Sequence, residues 1–392
     1  MDVTWQKIDE ARIILTANTE RQPNLEPLLR LQVALGAVEA ARQTVLEVAG
    51  SLSEQLDGYT SIAIAQAETG DPDGAEQTLL DVTAATIELD PDHDGCNHKA
   101  AWQSALPPII EARAQRGELE IAKKLTAELA ASDQERADVL LCWLHVYVGD
   151  VETAKQIATR VEELLTQISC YRTIAEQQAC NGDLAGAKKT AEMIVDPRGR
   201  AETYRAIGAA AGKLGNLDGA KKALEQAKEV VISTGSELAE PRTMWHEIGT
   251  TQADIGDIEG AEETAASWPK HWIAQTCSLP AIAAAKARAG NLCSAKETVA
   301  KIKPPFRYEA WVRMAAALAE SGDLRAAEGI IKMDFPGRDR ACLWVIEACA
   351  QAGDIPAAEA IARSVQPDNE EEHADLVLAI AKGLAARARQ KT

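Results

Sequence analysis

The stretch Asp90-Pro-Asp92-His93-Asp94-Gly95 places three carboxylates at alternate positions ahead of a glycine, as the first half of a calcium-binding loop does. Such a loop also needs a branched aliphatic residue at its eighth position and a bidentate acid at its twelfth. Those positions hold Asn97 and Ala101, so the residues that would supply affinity are missing. His93, Cys96 and His98 add softer ligands, but three ligands on one loop do not close a tetrahedral zinc site. The segment reads as a solvated acidic turn, and no metal and no cofactor is expected. The chain has no nucleophile elbow, no Gly-x-x-x-x-Gly-Lys-Ser/Thr loop and no His-Glu-x-x-His pair. Its six histidines are scattered at 93, 98, 145, 246, 271 and 373, and His145 sits in the very apolar run Leu141–Asp150. No catalytic residue is expected, and the chain reads as a non-enzyme.

The elements that would carry any site follow from composition. The 392 residues include 41 basic and 60 acidic ones, a formal net charge of −19. That field repels a polyanion and argues against a general DNA or RNA binder. Hydrophobic residues make up 46% but aromatics only 4%. The core must therefore come from Ala, Leu and Ile, which suits closely packed helices better than sheets. The first fifteen residues carry charges through their apolar stretch and lack the basic start of a secretory leader. No run of about 18 uncharged apolar residues occurs, so no membrane-spanning helix is expected. Eight cysteines, at 96, 142, 170, 180, 277, 293, 342 and 349, include no Cys-x-x-Cys pair. They read as small hydrophobes in a reduced, cytoplasmic chain.

A repeat decides the architecture. A motif of Gly, an acidic or amide residue, an aliphatic residue, two variable positions and Ala recurs along the chain. Its glycines are Gly36, Gly70, Gly117, Gly149, Gly182, Gly215, Gly256, Gly290, Gly322 and Gly353. Alanine stands five positions after every one of them, from Ala41 to Ala358, and an apolar residue eight positions before. Most spacings are 31 to 34 residues, the period of a solenoid rather than a single-core globule. Within one unit, residues 171–181 form a helical stripe that Gly182 ends by adopting the left-handed conformation. Asp183 caps the next helix, and Ala187 faces the first. Three positions before the glycine stands Ala or Gly in eight repeats, so two columns of small residues form the seam of a helical hairpin. Two longer spacings, 47 and 41 residues, predict extended second helices with projecting loops at 90–99 and 233–242.

These features resemble the tetratricopeptide repeat (TPR) family, in a divergent, alanine-rich, bacterial-type variant. The family's early aromatic slot holds Tyr59, Tyr171, Tyr204, Trp245 and Trp311. Ile207–Gly208 and Ile248–Gly249 match its Leu–Gly step, and Pro197, Pro269, Pro304, Pro336 and Pro367 close repeats. The family's mid-helix Tyr and second-helix aromatic are mostly Ala, Gln or Thr here. The resemblance covers residues 24–367. It implies an all-α, right-handed α-solenoid of about ten hairpins, continuous over 1–392 as one domain. Residues 3–17 read as a lone second helix with Ala11 in the alanine slot, and 371–387 as a lone first helix. Both are expected to cap the stack with a polar outer face, giving 22 helices.

In this family the first helices line a concave groove that binds extended peptides or partner helices. The groove positions implied by the resemblance hold Arg136, Trp143, Arg172, Arg205, His246, Arg313, Arg340 and Trp344. Basic and aromatic groups inside an acidic protein suit a carboxylate-bearing peptide. Glu26, Asp57, Glu111, Glu176, Glu202, Glu247, Glu309 and Glu347 share the same columns and offer the arginines partners within the chain, and Trp143 and Trp344 also admit a core reading. The expected function is a protein–protein interaction scaffold, with a protein or peptide partner and neither nucleic acid nor membrane. The alternatives are a helical-repeat RNA binder, which the charge and uneven repeat lengths oppose, and an enzyme with a helical-repeat body.

Overall fold

A computed structural model describes residues 3–17, 24–49, 51–89, 96–131, 133–234, 241–267, 272–304, 307–333, 335–365 and 370–390. Among the described residues are 22 α-helices and no strand. The ten first helices are α2 (Glu26–Ala34), α4 (Leu52–Glu68), α6 (Cys96–Gln115), α8 (Gln134–Tyr147), α10 (Leu164–Cys180), α12 (Pro197–Lys213), α14 (Pro241–Asp254), α16 (Trp272–Arg288), α18 (Arg307–Glu320) and α20 (Arg338–Ala352). Between and after them run the second helices α3 (Val38–Val48), α5 (Pro72–Leu89), α7 (Leu119–Ala130), α9 (Val151–Arg160), α11 (Leu184–Glu192), α13 (Leu217–Thr234), α15 (Ile258–Ser267), α17 (Leu292–Ala300), α19 (Leu324–Ile331) and α21 (Ile355–Ser364). Helices α1 (Val3–Ala17) and α22 (Glu370–Gln390) flank the set. The architecture is an all-α helical solenoid.

The turn inside each hairpin repeats to atomic detail. All ten motif glycines have φ between 75° and 93°, the left-handed region that favours glycine. In all ten, the amide of the residue after the glycine donates to the carbonyl four residues before it, as Asp183 does to Gln178 at 2.8 Å. This is the Schellman closure of the first helix. In eight of the ten the same residue then caps the second helix with its side chain, Asp183 Oδ1 accepting from the Gly186 amide at 2.8 Å, while Ala37 and Glu118 make no such cap. All ten motif alanines are fully buried. A larger side chain in that column would push the two helices apart. The apolar column eight before the glycine is buried in nine repeats, and Leu141 is half-buried.

A second internal pattern links the paired helices and was not read from the sequence. Gln66, Gln178 and Gln252, four residues before their glycines, accept hydrogen bonds from Thr78, Thr190 and Thr264 at 2.6–2.7 Å. Gln32 with Thr44 and Lys286 with Thr298 occupy the same two columns, their side-chain nitrogens donating to the threonine hydroxyl. Where the first column is apolar, as at Ala211, Leu318 and Cys349, the second is apolar too, at Ala223, Ile330 and Ile361. In eight repeats the two positions match in polarity, because a buried polar group without a partner is costly. Arg113 opposite Leu125 and His145 opposite Ile157 depart from this, and turn instead to Glu118 and Asp150. Thr190→Val is expected to leave the Gln178 carbonyl oxygen short of a donor and to cost about 1–3 kcal/mol. Adding Gln178→Leu should recover most of that loss, and urea midpoints of the single and double variants check it.

Contacts divide the chain into two compact units, residues 1–137 with 342–392 (unit 1) and residues 138–341 (unit 2), with boundaries inside α8 and α20. In unit 2 the first helices α10, α12, α14, α16 and α18 pack one on the next. In unit 1 the expectation of lone capping helices is corrected. Helices α1 and α22 pack on each other. Ile8, Ala11 and Leu15 share one core with Ala374, Val377, Leu378, Ala381 and Ala385. A second-type helix and a first-type helix each carry an apolar face that a hairpin would cover, and each supplies what the other lacks. Lys7 also pairs with Glu359 on α21 at 3.2 Å, and Arg12 with Glu47 on α3.

The long spacings do contain extended second helices: α5 and α13 have 18 residues each, against 8 to 12 in the others. Of the two expected loops, 90–95 and 235–240 lie outside the described residues. Residues 96–99 belong to α6, 233–234 to α13 and 241–242 to α14, so the helices reach further than expected.

Candidate functional site

The periodic turn fixes which residues share a face. Arg172, Arg205 and His246 each stand ten residues before a motif glycine, on consecutive first helices of unit 2. Arg172 on α10 is exposed and has no hydrogen bond or ion pair among the described residues. On α12, Arg205 Nε lies 3.3 Å from Glu247 Oε2 on α14, an ion pair across neighbouring helices. That same Nε is buried and not aligned for a hydrogen bond, so the contact is Coulombic rather than forked.

His246 Nδ1 lies 3.3 Å from Ser278 Oγ on α16 and 3.3 Å from Thr250 Oγ1 one turn along α14. Burial pushes its imidazole below the usual histidine range, and the positive Arg313 pushes it the same way. His246 is thus a neutral hydrogen-bonding group at pH 7. Glu309 on α18 accepts from Arg313 at 3.0 Å and lies 3.6 Å from Arg340 at the start of α20. Glu247 and Glu309 therefore partner Arg205, Arg313 and Arg340, and Arg172 has no such partner among the described residues. Trp143 on α8 is half-buried and stacks on Tyr147, with ring centroids 5.0 Å apart.

The two remaining residues of the set lie in unit 1. Trp344 on α20 is 48% exposed, a large apolar surface open to contact. Arg136 makes a contact within the chain. Helix α6 contains Pro107 and Pro108, and Pro107 has no N–H to offer the carbonyl of Gln103 one turn earlier. Arg136 Nη1 donates to that Gln103 oxygen at 3.1 Å and satisfies the acceptor the proline leaves open.

Acids on the first helices of each unit are shifted as well. In unit 2, burial raises the carboxyl of Asp254 on α14, with Arg313 and Arg288 partly offsetting it. Burial likewise raises Glu347 on α20, offset in part by Lys382, and Glu111 on α6, where Glu68 adds to it. Ser278 and Thr250 were missed in the sequence because a lone hydroxyl in an apolar helix carries no signal until its partner is known. The residues Asp90–Gly95 and the side chains of Cys96 and His98 lie outside the described residues. No cluster of three His, Cys, Asp or Glu side chains among the described residues could hold a metal ion. No helix among them is long and apolar enough to cross a membrane. A cavity of about 320 Å³ lies beside α1, α21 and α22, lined by Lys7, Glu359, Arg363, His373 and Ile380 among others. None of the eight residues singled out in the sequence faces it. The described side chains offer unpaired and paired cations, exposed aromatic surface and hydrogen-bonding groups.

No family model matches this chain, and no curated protein matches it. Among solved structures it is similar to the Ton1535 protein of Thermococcus onnurineus NA1, at 16% identity and a TM-score of 0.24, over 89% of this chain and 97% of that one. It is also similar to a Signal Transduction ATPase with Numerous Domains from Pyrococcus horikoshii that has a tetratricopeptide repeat sensor. There the identity is 11% and the TM-score 0.27, over 98% of this chain and 64% of that one, so this chain spans less than two thirds of that protein's length. A third is a circular tandem repeat protein with a novel repeat topology, at 16% identity and a TM-score of 0.19, over 99% and 88%. From its 22 helices and ten equivalent turns, the chain is a helical-repeat protein.

Proposed function

We propose that this chain is a non-enzymatic, cytoplasmic interaction scaffold of TPR-like build that holds a carboxylate-bearing peptide or partner helix on the first-helix face of unit 2. One observation carries this reading: Arg172 and Arg205 occupy the same column of adjacent first helices, and Arg172 is exposed with no ion-pair partner among the described residues. An arginine held open beside a second one offers forked hydrogen bonds to a carboxylate with little reorganisation. Trp143 on α8, with Arg313 and Arg340 further along, provides flanking apolar and basic contacts. The net charge of −19 favours a protein partner over a nucleic acid.

Arg172→Glu combined with Arg205→Glu is expected to leave the melting profile close to wild type, since neither side chain is a core element, and to abolish partner capture. Affinity capture from a lysate of the source organism, wild type beside the double variant and read by mass spectrometry, checks it. Partners retained equally by both forms would remove this face from the proposal. A single-stranded RNA titration at low and physiological salt tests the other class of ligand, for which no binding is expected.

A further inference from the structure

Two of the cysteines that the sequence offers only as small hydrophobes meet in the core. Cys142 on α8 and Cys170 on α10 are both fully buried and belong to one cluster with Val146, Ala154 and Tyr171. The Cys142 sulfur lies 3.5 Å from the Ala154 carbonyl oxygen inside that shared cluster. Cys142 stands seven residues before its motif glycine and Cys170 twelve before the next one. The same two columns meet elsewhere in unit 2. Gly249 and Ser278 occupy them three repeats along, and a Cβ on Gly249 would lie 3.4 Å from the Ser278 Cβ and 3.0 Å from its Oγ. A disulfide needs Cβ atoms about 3.5–4.5 Å apart. The repeat geometry therefore brings these columns to disulfide spacing, and only at 142 and 170 do both carry sulfur.

We propose that Cys142 and Cys170 form a latent disulfide site that a low-molecular-weight disulfide oxidises, cross-linking the first helices of two successive repeats. In the first step a thiolate of the pair attacks one sulfur of the small disulfide, releasing one small thiol and forming a mixed disulfide. In the second, the other cysteine attacks the protein sulfur of that mixed disulfide and releases the second small thiol. Two protein thiols are oxidised, one small disulfide is reduced to two thiols, and the two protein protons end on the released thiols. The neighbouring Cys170 thiol and then burial raise the Cys142 thiol above its ordinary value. Attack therefore waits on local opening of the α8–α10 packing, and oxidation is slow. Once formed, the bridge closes a loop of about 28 residues and restricts the unfolded chain. The product is locked by the same burial that delays its formation.

The test is to incubate the folded, reduced full-length chain with oxidised glutathione, quench with an alkylating reagent and map peptides by mass spectrometry. The expected result is a 142–170 cross-linked peptide pair, about 2 Da lighter than the two reduced peptides, that appears over hours. The unfolding midpoint should then rise by about 5 °C or more, reversed by a reductant. Cys142→Ala should abolish the link and the shift together, and a separate Cys170→Ala preparation repeats the control should the first variant fold poorly. The proposal is overturned if the folded wild type yields no 142–170 link while exposed Cys180 and Cys293 become glutathionylated. It is equally overturned if the link forms and the midpoint stays or falls.

Discussion

Replacing Gly383 by alanine is expected to destabilise unit 1 by about 2 kcal/mol or more, although alanine is the better helix former by about 1 kcal/mol. Gly383 lies inside α22 with ordinary helical φ. A Cβ there would stand 2.7 Å from the Ala350 Cβ and 2.9 Å from the Gln351 amide nitrogen, with the Glu347 carbonyl oxygen closer still. Two of those atoms are backbone, so α20 cannot yield by rotating a side chain, and α22 must lift from it. The control is Gly329 on α19, which is exposed and has no atom within 4 Å of a built Cβ. Gly329→Ala should stabilise by about 0.5–1 kcal/mol through helix propensity alone. Chemical denaturation of the two variants gives opposite signs if the close approach of α22 to α20 is right. A Gly383→Ala chain as stable as wild type would show that approach to be absent.

Arg113→Ala is expected to cost about 2–3 kcal/mol and to weaken the protein's loss of stability in acid. Arg113 on α6 is 6% exposed and stands where other repeats carry glutamine. It reaches Asp73 at 2.7 Å and Glu76 at 2.8 Å, both on α5, and Glu118 at 2.6 Å. Burial opposes its charge, and the hydrogen bonds to Glu118, Glu76 and Asp73 more than offset that, so its pKa is raised. The cost falls at the lower end for breaking a buried ion cluster because the three acids keep access to water. Hydrogen bonds from Arg116 and then Arg113 hold the Asp73 carboxyl below its ordinary value. A carboxyl depressed in the folded state stabilises the fold above the unfolded carboxylate range and loses that contribution as pH falls through its folded value. Stability should therefore decline below about pH 4, and less steeply in the variant. Urea midpoints from pH 7 to pH 3 check both parts. Parallel pH curves for the two forms would show that Arg113 does not hold Asp73.

The residue exchange around Arg113 was legible in principle. Where glutamine becomes arginine four residues before Gly117, the usual Asp or Asn after the glycine becomes Glu118. Glu118 then gives up the side-chain cap on α7 and turns to the guanidinium. Such compensations lie within one repeat and can be found by comparing repeats of one chain. The candidate interaction face was legible in its columns but not in its pairing. That Glu309 would take both Arg313 and Arg340 while Arg172 stayed open depends on helix–helix spacing, which no periodicity records. So does the contact of Arg136 with a carbonyl opened by a proline on another helix.

The sequence by itself determined the helical hairpin, its ten turns, the alanine seam, the number of helices and the extended lengths of α5 and α13. Each of these rests on local chemistry repeated in register: a left-handed glycine, a capping carboxylate, and small residues recurring at helical spacing. Tertiary structure alone decided that α1 and α22 pair with each other rather than cap separately. It alone decided that a glycine in α22 is required where α19 leaves room for a Cβ, and that Cys142 and Cys170 share one core cluster. These contacts join residues far apart in the chain or in non-equivalent columns. Their energies come from distances between whole helices, which side-chain packing sets only once every helix is in place.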